Sequence, residues 1–158
     1  MKTSLFSSWK NWSDREDLGN LSIPGVYALA ISDEDISDQQ FNWIQQIVYF
    51  GMTNSVAGLK GRLKQFDNTI IGKTGHGGAD RFLYDFPAAK DLNACLYVAV
   101  RRFKCDVGSN SPDDLVTMGN VAKAEYECFA EYVRHFGHLP KYNNKKEALK
   151  FSKTQGVK

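Results

Sequence analysis

The chain has little of what marks an extracellular or membrane protein. Only 3 of its 158 residues are cysteines, and no two of them stand in a C-x-x-C spacing. This argues against both a disulfide framework and a zinc site built on paired cysteines. No apolar run approaches the ~20 residues that span a bilayer, and the N-terminal stretch MKTSLFSSWKNWSDRED lacks the apolar centre of a signal peptide. The sequence therefore predicts a cytoplasmic protein without a membrane partner.

A strong net charge is also missing. The formal charge is only +2, which does not by itself indicate a nucleic-acid partner. The charge is unevenly distributed, because lysines dominate the stretch after Pro140 whereas residues 33–38 carry four acids without a base. The basic C-terminal end is therefore expected to attract polyanions, and the acidic stretch to repel them.

The length and the 42% of hydrophobic residues suit one domain with its own core. We expect an N-terminal arm or helix over residues 1–23, a core over 24–143 and a basic tail over 144–158. In the arm, Trp9 and Trp12 stand at i and i+3 and are predicted to share a face.

Hydrophobic periodicity predicts five elements in the core. The stretches SIPGVYALAIS, IQQIVYFGMT and LNACLYVAVRRF are typical of strands. The stretch NSVAGLKGRLKQF and a later segment from about Leu115 to His135 are typical of helices, with Gly137 as the terminator of the second. The glycine-rich stretch DNTIIGKTGHGGADRF is predicted to be a loop. The order strand, strand, helix, strand, helix predicts an α/β fold of the α+β type, with a small antiparallel or mixed three-stranded sheet flanked by helices.

Two tyrosines stand at matching places on the first two strands. If these strands pair, side-chain alternation allows Tyr27 and Tyr49 to lie on one face of the sheet, with Gly51 leaving space beside them. Arg62 follows on the next helix. Phenols accept or donate protons, and a guanidinium matches the forked oxygens of a phosphate. These residues are therefore candidates for phosphate chemistry.

The same residues resemble the motifs of the GIY-YIG nuclease family. GVY at residues 25–27 matches the first tripeptide of the family's name, and YFG at residues 49–51 matches the second. GLKGRLKQF supplies the arginine of the following helix, and EYVRHFGHLPKYN matches a late helix with a glutamate followed by P-x-Y-N. The resemblance runs from about Pro24 to Asn143 and implies a GIY-YIG-like fold.

This resemblance implies an endonuclease that hydrolyses DNA phosphodiester bonds with one divalent ion, Mg²⁺ or Mn²⁺. Tyr27 is then the general base or positions the attacking water, and Tyr49 forms hydrogen bonds nearby. Arg62 stabilises charge on the scissile phosphate. Glu131 binds the metal and Asn143 supports the site. Glu125 and Glu127 remain alternatives to Glu131 as the metal ligand.

Two positions depart from the family pattern. Met52 stands where many members carry a lysine, and Phe66 stands where a histidine often follows the arginine by four. Lys60 or Lys64 is expected to replace the missing positive charge, and His76 the missing histidine. The predicted substrate-binding residues are Gly51, Lys60, Lys64, His76 and Arg81.

Two functions stay open at this stage. The first is an endonuclease of the restriction, repair or phage type, acting as a monomer or a homodimer. The second is a catalytically degenerate GIY-YIG-like module that binds nucleic acid or a protein partner without cleavage. The departures at Met52 and Phe66 favour the second, and the presence of Tyr27, Arg62, Glu131 and Asn143 favours the first.

Overall fold

A four-stranded antiparallel sheet organises the chain. The computed structural model describes residues 5–73 and 76–144, together with the backbone of residues 151–152 and 156–157. The strands are β1 (Lys10–Asn11), β2 (Gly25–Ile31), β3 (Ile47–Thr53) and β4 (Leu96–Arg102), in the order β1-β4-β2-β3. Two further short strands, β5 (Phe151–Ser152) and β6 (Gly156–Val157), pair with each other.

The prediction of a three-stranded sheet is therefore wrong, although the mixed α+β class is confirmed. The additional strand, β1, contains only two residues. A strand of this length is too short to show the alternation by which strands are recognised in a sequence.

Four α-helices within the described residues flank the sheet. They are α1 (Gly58–Ile70), α2 (Gly77–Asp85), α3 (Ala89–Asn93) and α4 (Pro112–Phe136), and short 3₁₀ helices cover Trp12–Leu18 and Lys141–Asn143. The Ser111 side chain caps α4 by accepting a hydrogen bond from the Asp114 N–H, and Gly137 ends the helix in the left-handed conformation, as predicted. None of the helices within the described residues is both long and apolar enough to cross a bilayer.

The helix α2 lies where the sequence predicts a loop. Its N-terminal residues Gly77 and Gly78 have low helix propensity, but the His76 side chain caps the helix by accepting a hydrogen bond from the Ala79 N–H. The buried residues Ala79 and Phe82 then hold α2 against the sheet. Capping and tertiary contacts outweigh the local glycine signal.

The two faces of the sheet carry two separate apolar clusters. Tyr27, Leu29 and Tyr49 belong to the cluster that includes residues of α1 and α2. Val26 and Phe50 belong to the opposite cluster, which includes residues of α4. This gives three layers, with β3 at one edge of the sheet.

Trp9 and Trp12 lie on opposite faces of the sheet, which corrects the prediction that they share one. Trp9 stacks on Phe41 in one cluster, and Trp12 packs against Phe66 in the other. The extended strand β1 lies between the two tryptophans, and an odd spacing along an extended backbone directs side chains to opposite sides.

Candidate active site

The two tyrosines lie side by side on the face of the sheet that α1 and α2 cover. The strands β2 and β3 pair with Tyr27 opposite Gly51, and the ring centroids of Tyr27 and Tyr49 are 6.1 Å apart. The prediction that both rings share a face is confirmed. A Cβ atom on residue 51 would lie only 2.4 Å from Cζ and Oη of Tyr27. Glycine at this position therefore makes room for the Tyr27 hydroxyl.

Gly51→Ala is expected to destabilise the fold by about 1–3 kcal/mol because the new methyl group overlaps the buried Tyr27 ring. Gly119→Ala is the matched control, since a Cβ at that helical position meets nothing within 4 Å; it is expected to stabilise by up to about 1 kcal/mol. Urea denaturation of both variants measures the difference. Equal stability of Gly51→Ala and wild type would contradict the role assigned to this glycine.

His76 holds the Tyr27 hydroxyl from the N-terminus of α2. The Nδ1 atom accepts a hydrogen bond from the Ala79 N–H at 3.2 Å, so the ring hydrogen is on Nε2. Nε2 lies 2.8 Å from the Tyr27 Oη and therefore donates to it. Burial, followed by the charge of Arg62, lowers the pKa of His76 to about 3. At neutral pH the ring is uncharged and serves as a permanent N–H donor.

The backbone of His76 is fixed as well. Its N–H donates to the Thr69 Oγ1 at 3.0 Å, and the Thr69 hydroxyl donates to the carbonyl of Gln65, also at 3.0 Å. Thr69 is buried at the end of α1 and thereby connects α1 to the N-terminus of α2. Nothing in the sequence distinguishes Thr69 from an ordinary helical threonine.

One positive and one negative side chain act on both phenols. Burial raises the pKa of Tyr27 well above its usual value near 10, and the neighbouring Tyr49 raises it further. The Arg62 guanidinium lowers this pKa through its charge and a hydrogen bond, whereas the Glu125 carboxylate raises it. Tyr49 responds in the same way, with its pKa raised first by burial, lowered by Arg62 and raised by Glu125. Both phenols are therefore neutral at pH 7.

Glu125 and Glu131 lie on opposite flanks of α4. The buried stripe of this helix consists of Val121, Ala124, Cys128 and Tyr132. At 100° per residue, the two glutamates are about 120° apart and on either side of that stripe. Glu127 is exposed, about 200° around the helix from Glu125. The charge of Glu125 raises the pKa of both phenols, which makes Glu125 a candidate beside the motif glutamate.

Glu131 contacts two basic side chains of its own helix. Its Oε2 accepts a hydrogen bond from Arg134 Nη1 at 2.8 Å, and its Oε1 lies 3.4 Å from Nε2 of His135. The hydrogen bond from Arg134 lowers the pKa of Glu131. His135 in turn stacks on Trp43 with an interplanar angle of 13°. These contacts direct the Glu131 carboxylate along the surface of α4.

Asn143 binds the backbone of the edge strand and not the tyrosines. The Phe50 N–H donates to Asn143 Oδ1 at 2.8 Å, and Asn143 Nδ2 donates to the Phe50 carbonyl at 2.9 Å. The preceding Tyr142 is buried, and its hydroxyl donates to Asp85 Oδ2 at 2.5 Å. The P-x-Y-N segment therefore connects β3 to α2. This connection holds Gly51 on β3 and His76 at the start of α2 in fixed positions relative to each other.

The other predicted substrate-binding residues are dispersed. Arg81 is buried and donates to the carbonyl of Tyr142 at 3.2 Å, and its charge lowers the pKa of Tyr49 and of His76. Lys60 and Lys64 are exposed, each about 200° around α1 from Arg62. They line a groove of about 360 Å³ beside the first 3₁₀ helix. The side chains of the basic tail beyond Asn144 lie outside the described residues.

The site thus pairs a buried phenol with a neutral imidazole, and a guanidinium and a carboxylate act on that phenol with opposite charges. Within residues 5–73 and 76–144, no three His, Cys, Asp or Glu side chains converge in a way that would hold a metal ion. A metal at this site would therefore depend on one carboxylate together with oxygen atoms of a substrate. Comparison of the chain with protein-family models, with curated proteins and with solved structures gives no match.

Proposed function

We propose that this chain is a metal-dependent endonuclease that hydrolyses DNA phosphodiester bonds at the site around Tyr27. The observation that carries this proposal is the environment of one hydroxyl. Tyr27 Oη accepts a hydrogen bond from the neutral His76, while Arg62 and Glu125 act on the same phenol with opposite charges.

Tyr27 is the general base in the proposed reaction. Its phenolate form takes a proton from a water molecule while the water oxygen bonds to phosphorus and the bond from phosphorus to the leaving deoxyribose oxygen breaks. The pKa of Tyr27 is raised by burial, so the phenolate needs stabilisation. The His76 N–H and the Arg62 guanidinium supply it, because both favour the negative form of the oxygen.

Arg62 has a second task in this proposal. Its side chain is partly exposed, and its Nη1 donates to Gln65 Oε1 at 2.8 Å. A guanidinium anchored in this way can still present N–H groups to the non-bridging oxygens of a phosphate. Charge that develops on the phosphate is then stabilised by a group that is already in place.

Glu125 is the residue that would hold Mg²⁺ or Mn²⁺. It is partly exposed, and a single carboxylate combined with substrate phosphate oxygens and water is a common way to bind Mg²⁺. When bound, the ion supplies a Lewis acid for the leaving oxygen. Glu125 is chosen over Glu131 because its charge acts on both phenols, whereas Glu131 forms an ion pair with Arg134.

A second candidate function is a module of the same fold that binds nucleic acid without cleaving it. One observation favours this function. The exposed fraction of the Tyr27 side chain is 0%. A water molecule reaches this hydroxyl only if a neighbouring side chain moves. Met52, partly buried beside the opposite cluster, adds no charge near the phosphate position.

The test is the nicking of supercoiled plasmid in the presence of Mg²⁺ or Mn²⁺. Wild type is expected to convert plasmid to the nicked form, and EDTA is expected to stop the reaction. Arg62→Ala, purified in parallel, controls for contaminating nucleases and is expected to be roughly 100- to 1000-fold slower. Absence of cleavage on plasmid and on single-stranded DNA, with binding retained, would favour the binding module.

A further inference from the structure

A groove runs along the flank of α1 opposite Arg62. It consists of two adjoining cavities of about 350 and 360 Å³, which share Glu16, Leu21 and Lys60 as lining residues. One wall is the 3₁₀ helix Trp12–Leu18, and the other is α1. Cavities of roughly 300–1,000 Å³ are typical of ligand sites. The hydrolysis proposed above gives this α1 groove no role.

The α1 groove combines an apolar floor with basic side chains. Leu21 and Leu63 are buried and line it, while Lys60 and Lys64 are exposed. Because the two lysines stand at i and i+4, they are neighbours on the surface of the helix. Ammonium groups beside apolar surface suit the phosphates and sugars of a nucleic-acid backbone.

The acids of the lining leave the groove positive. Asp67 is already engaged, because its Oδ1 accepts a hydrogen bond from Trp12 Nε1 at 2.9 Å and its Oδ2 lies 3.4 Å from Nη2 of Arg15. Glu16 is the other acid among the described lining residues. Two lysines therefore face one carboxylate, and this excess of positive charge attracts a polyanion.

The two other acids of the 3₁₀ helix act on a different lysine. Asp14 and Asp17 do not belong to the described lining of the groove. The pKa of Lys10 is raised first by its hydrogen bond with Asp38 and further by the charges of Asp17 and Asp14. The negative charge of these two residues is thus directed towards Lys10.

The groove and the Tyr27 site lie on two flanks of the same helix. Arg62 acts on Tyr27 from one flank, and Lys60 and Lys64 are each about 200° around α1 from it. The diameter of a helix with its side chains is about 10–12 Å, and each DNA strand carries one phosphate per about 3.4 Å. A strand that crosses α1 therefore spans about three phosphates. The side chains on the exposed surface between the two flanks are uncharged: Gly61, Gln65 and Asn68.

We propose that the α1 groove binds the DNA backbone about three phosphates away from the scissile phosphate, with Lys60 and Lys64 as the phosphate ligands. The strand crosses the uncharged surface of α1 between the groove and Arg62. The two lysines then do not replace the charge that is missing at Met52, but fix the position of the DNA from a distance. This assignment rests on the proposed function for the position of the scissile phosphate, whereas backbone binding itself requires neither metal nor cleavage.

The experiment measures how DNA binding depends on salt, in EDTA. A fluorescently labelled duplex of about 20 base pairs is titrated with protein at several NaCl concentrations, because each phosphate contact adds about 0.9 to the slope of log affinity against log salt. Lys60→Ala/Lys64→Ala is expected to reduce the magnitude of this slope by about 1.8. The control Lys90→Ala/Lys123→Ala removes the same charge from exposed positions on α3 and α4 and is expected to keep the wild-type slope.

Three outcomes overturn the proposal. They are an unchanged slope for Lys60→Ala/Lys64→Ala, an equal reduction for Lys90→Ala/Lys123→Ala, and a salt-sensitive wild-type dimer in sedimentation that Lys60→Ala/Lys64→Ala dissociates. The last would assign the groove to the acidic residues 33–38 of a second copy of the chain. A reduced slope without any nicking by wild type would instead overturn the proposed function, whereas nicking with an unchanged slope overturns only the groove assignment.

Discussion

Glu125→Gln is expected to lower magnesium-dependent DNA cleavage by roughly 100- to 1000-fold, a loss typical of removing one charged group from a preorganised site. Glu131→Gln is expected to keep nearly all of the activity. The two variants remove the same charge from the same helix, so they form a matched pair. Plasmid nicking at saturating Mg²⁺ measures both.

The reason for the difference is the position of the two carboxylates on α4. Glu125 acts on both phenols, whereas Glu131 is engaged by Arg134 and His135. Exposed ion pairs such as the one between Glu131 and Arg134 contribute little to the stability of the fold, about 0–1 kcal/mol. Higher concentrations of Mn²⁺ are expected to restore part of the Glu125→Gln activity, because an amide oxygen remains a weak metal ligand. The reverse ranking, with Glu131→Gln inactive and Glu125→Gln active, would identify Glu131 as the metal ligand.

The strand side of the site was predictable from the sequence. Alternation along a strand places Tyr27 and Tyr49 on the same face without any knowledge of the helices. Gly51 follows from the same pattern, as the position opposite Tyr27 in the antiparallel pair. These inferences depend only on local geometry and on the pairing of two neighbouring strands.

The helix side was not predictable to the same degree. The spacing to the P-x-Y-N segment indicates Glu131, whereas the apolar stripe shows only that Glu125 and Glu131 lie on opposite flanks of α4. Which flank faces the β3 edge depends on how α4 lies across the sheet. That orientation is set by contacts such as Phe129 on Phe50, which join residues far apart in the chain.

The loop prediction for residues 67–82 was wrong at both ends, where α1 runs to Ile70 and α2 begins at Gly77, and the second error has a reason connected with the site. Gly78 weakens the helix signal, but a Cβ at this position would lie 2.6 Å from the Tyr49 Oη. The close approach of α2 to the tyrosines therefore requires glycine at this position. Because glycine has low helix propensity, the helix is not recognised from the sequence. His76, which the sequence places in a loop, gains both its cap role and its contact with Tyr27 from this helix.

Tyr27→Phe is expected to reduce cleavage by roughly 100-fold or more, because general-base catalysis contributes about 10²–10⁴. Tyr49→Phe is the matched control. It removes a hydroxyl from the neighbouring ring without removing the acceptor of the His76 hydrogen bond, and it is expected to cost less than Tyr27→Phe. Single-turnover cleavage rates of the two variants and wild type make the comparison.

The pH dependence of the rate separates a base from a merely structural phenol. The pKa of Tyr27 is raised above its usual value, so the phenolate fraction, and with it the wild-type rate, increases about tenfold per pH unit below that pKa. His76, with a pKa of about 3, stays neutral over the same range and adds no titration of its own. Tyr27→Phe should lose this rise, and Tyr49→Phe should keep it. If the rate of Tyr27→Phe still climbs with pH as steeply as that of wild type, the proton goes to another group, and Tyr27 serves only to fill the space that Gly51 leaves.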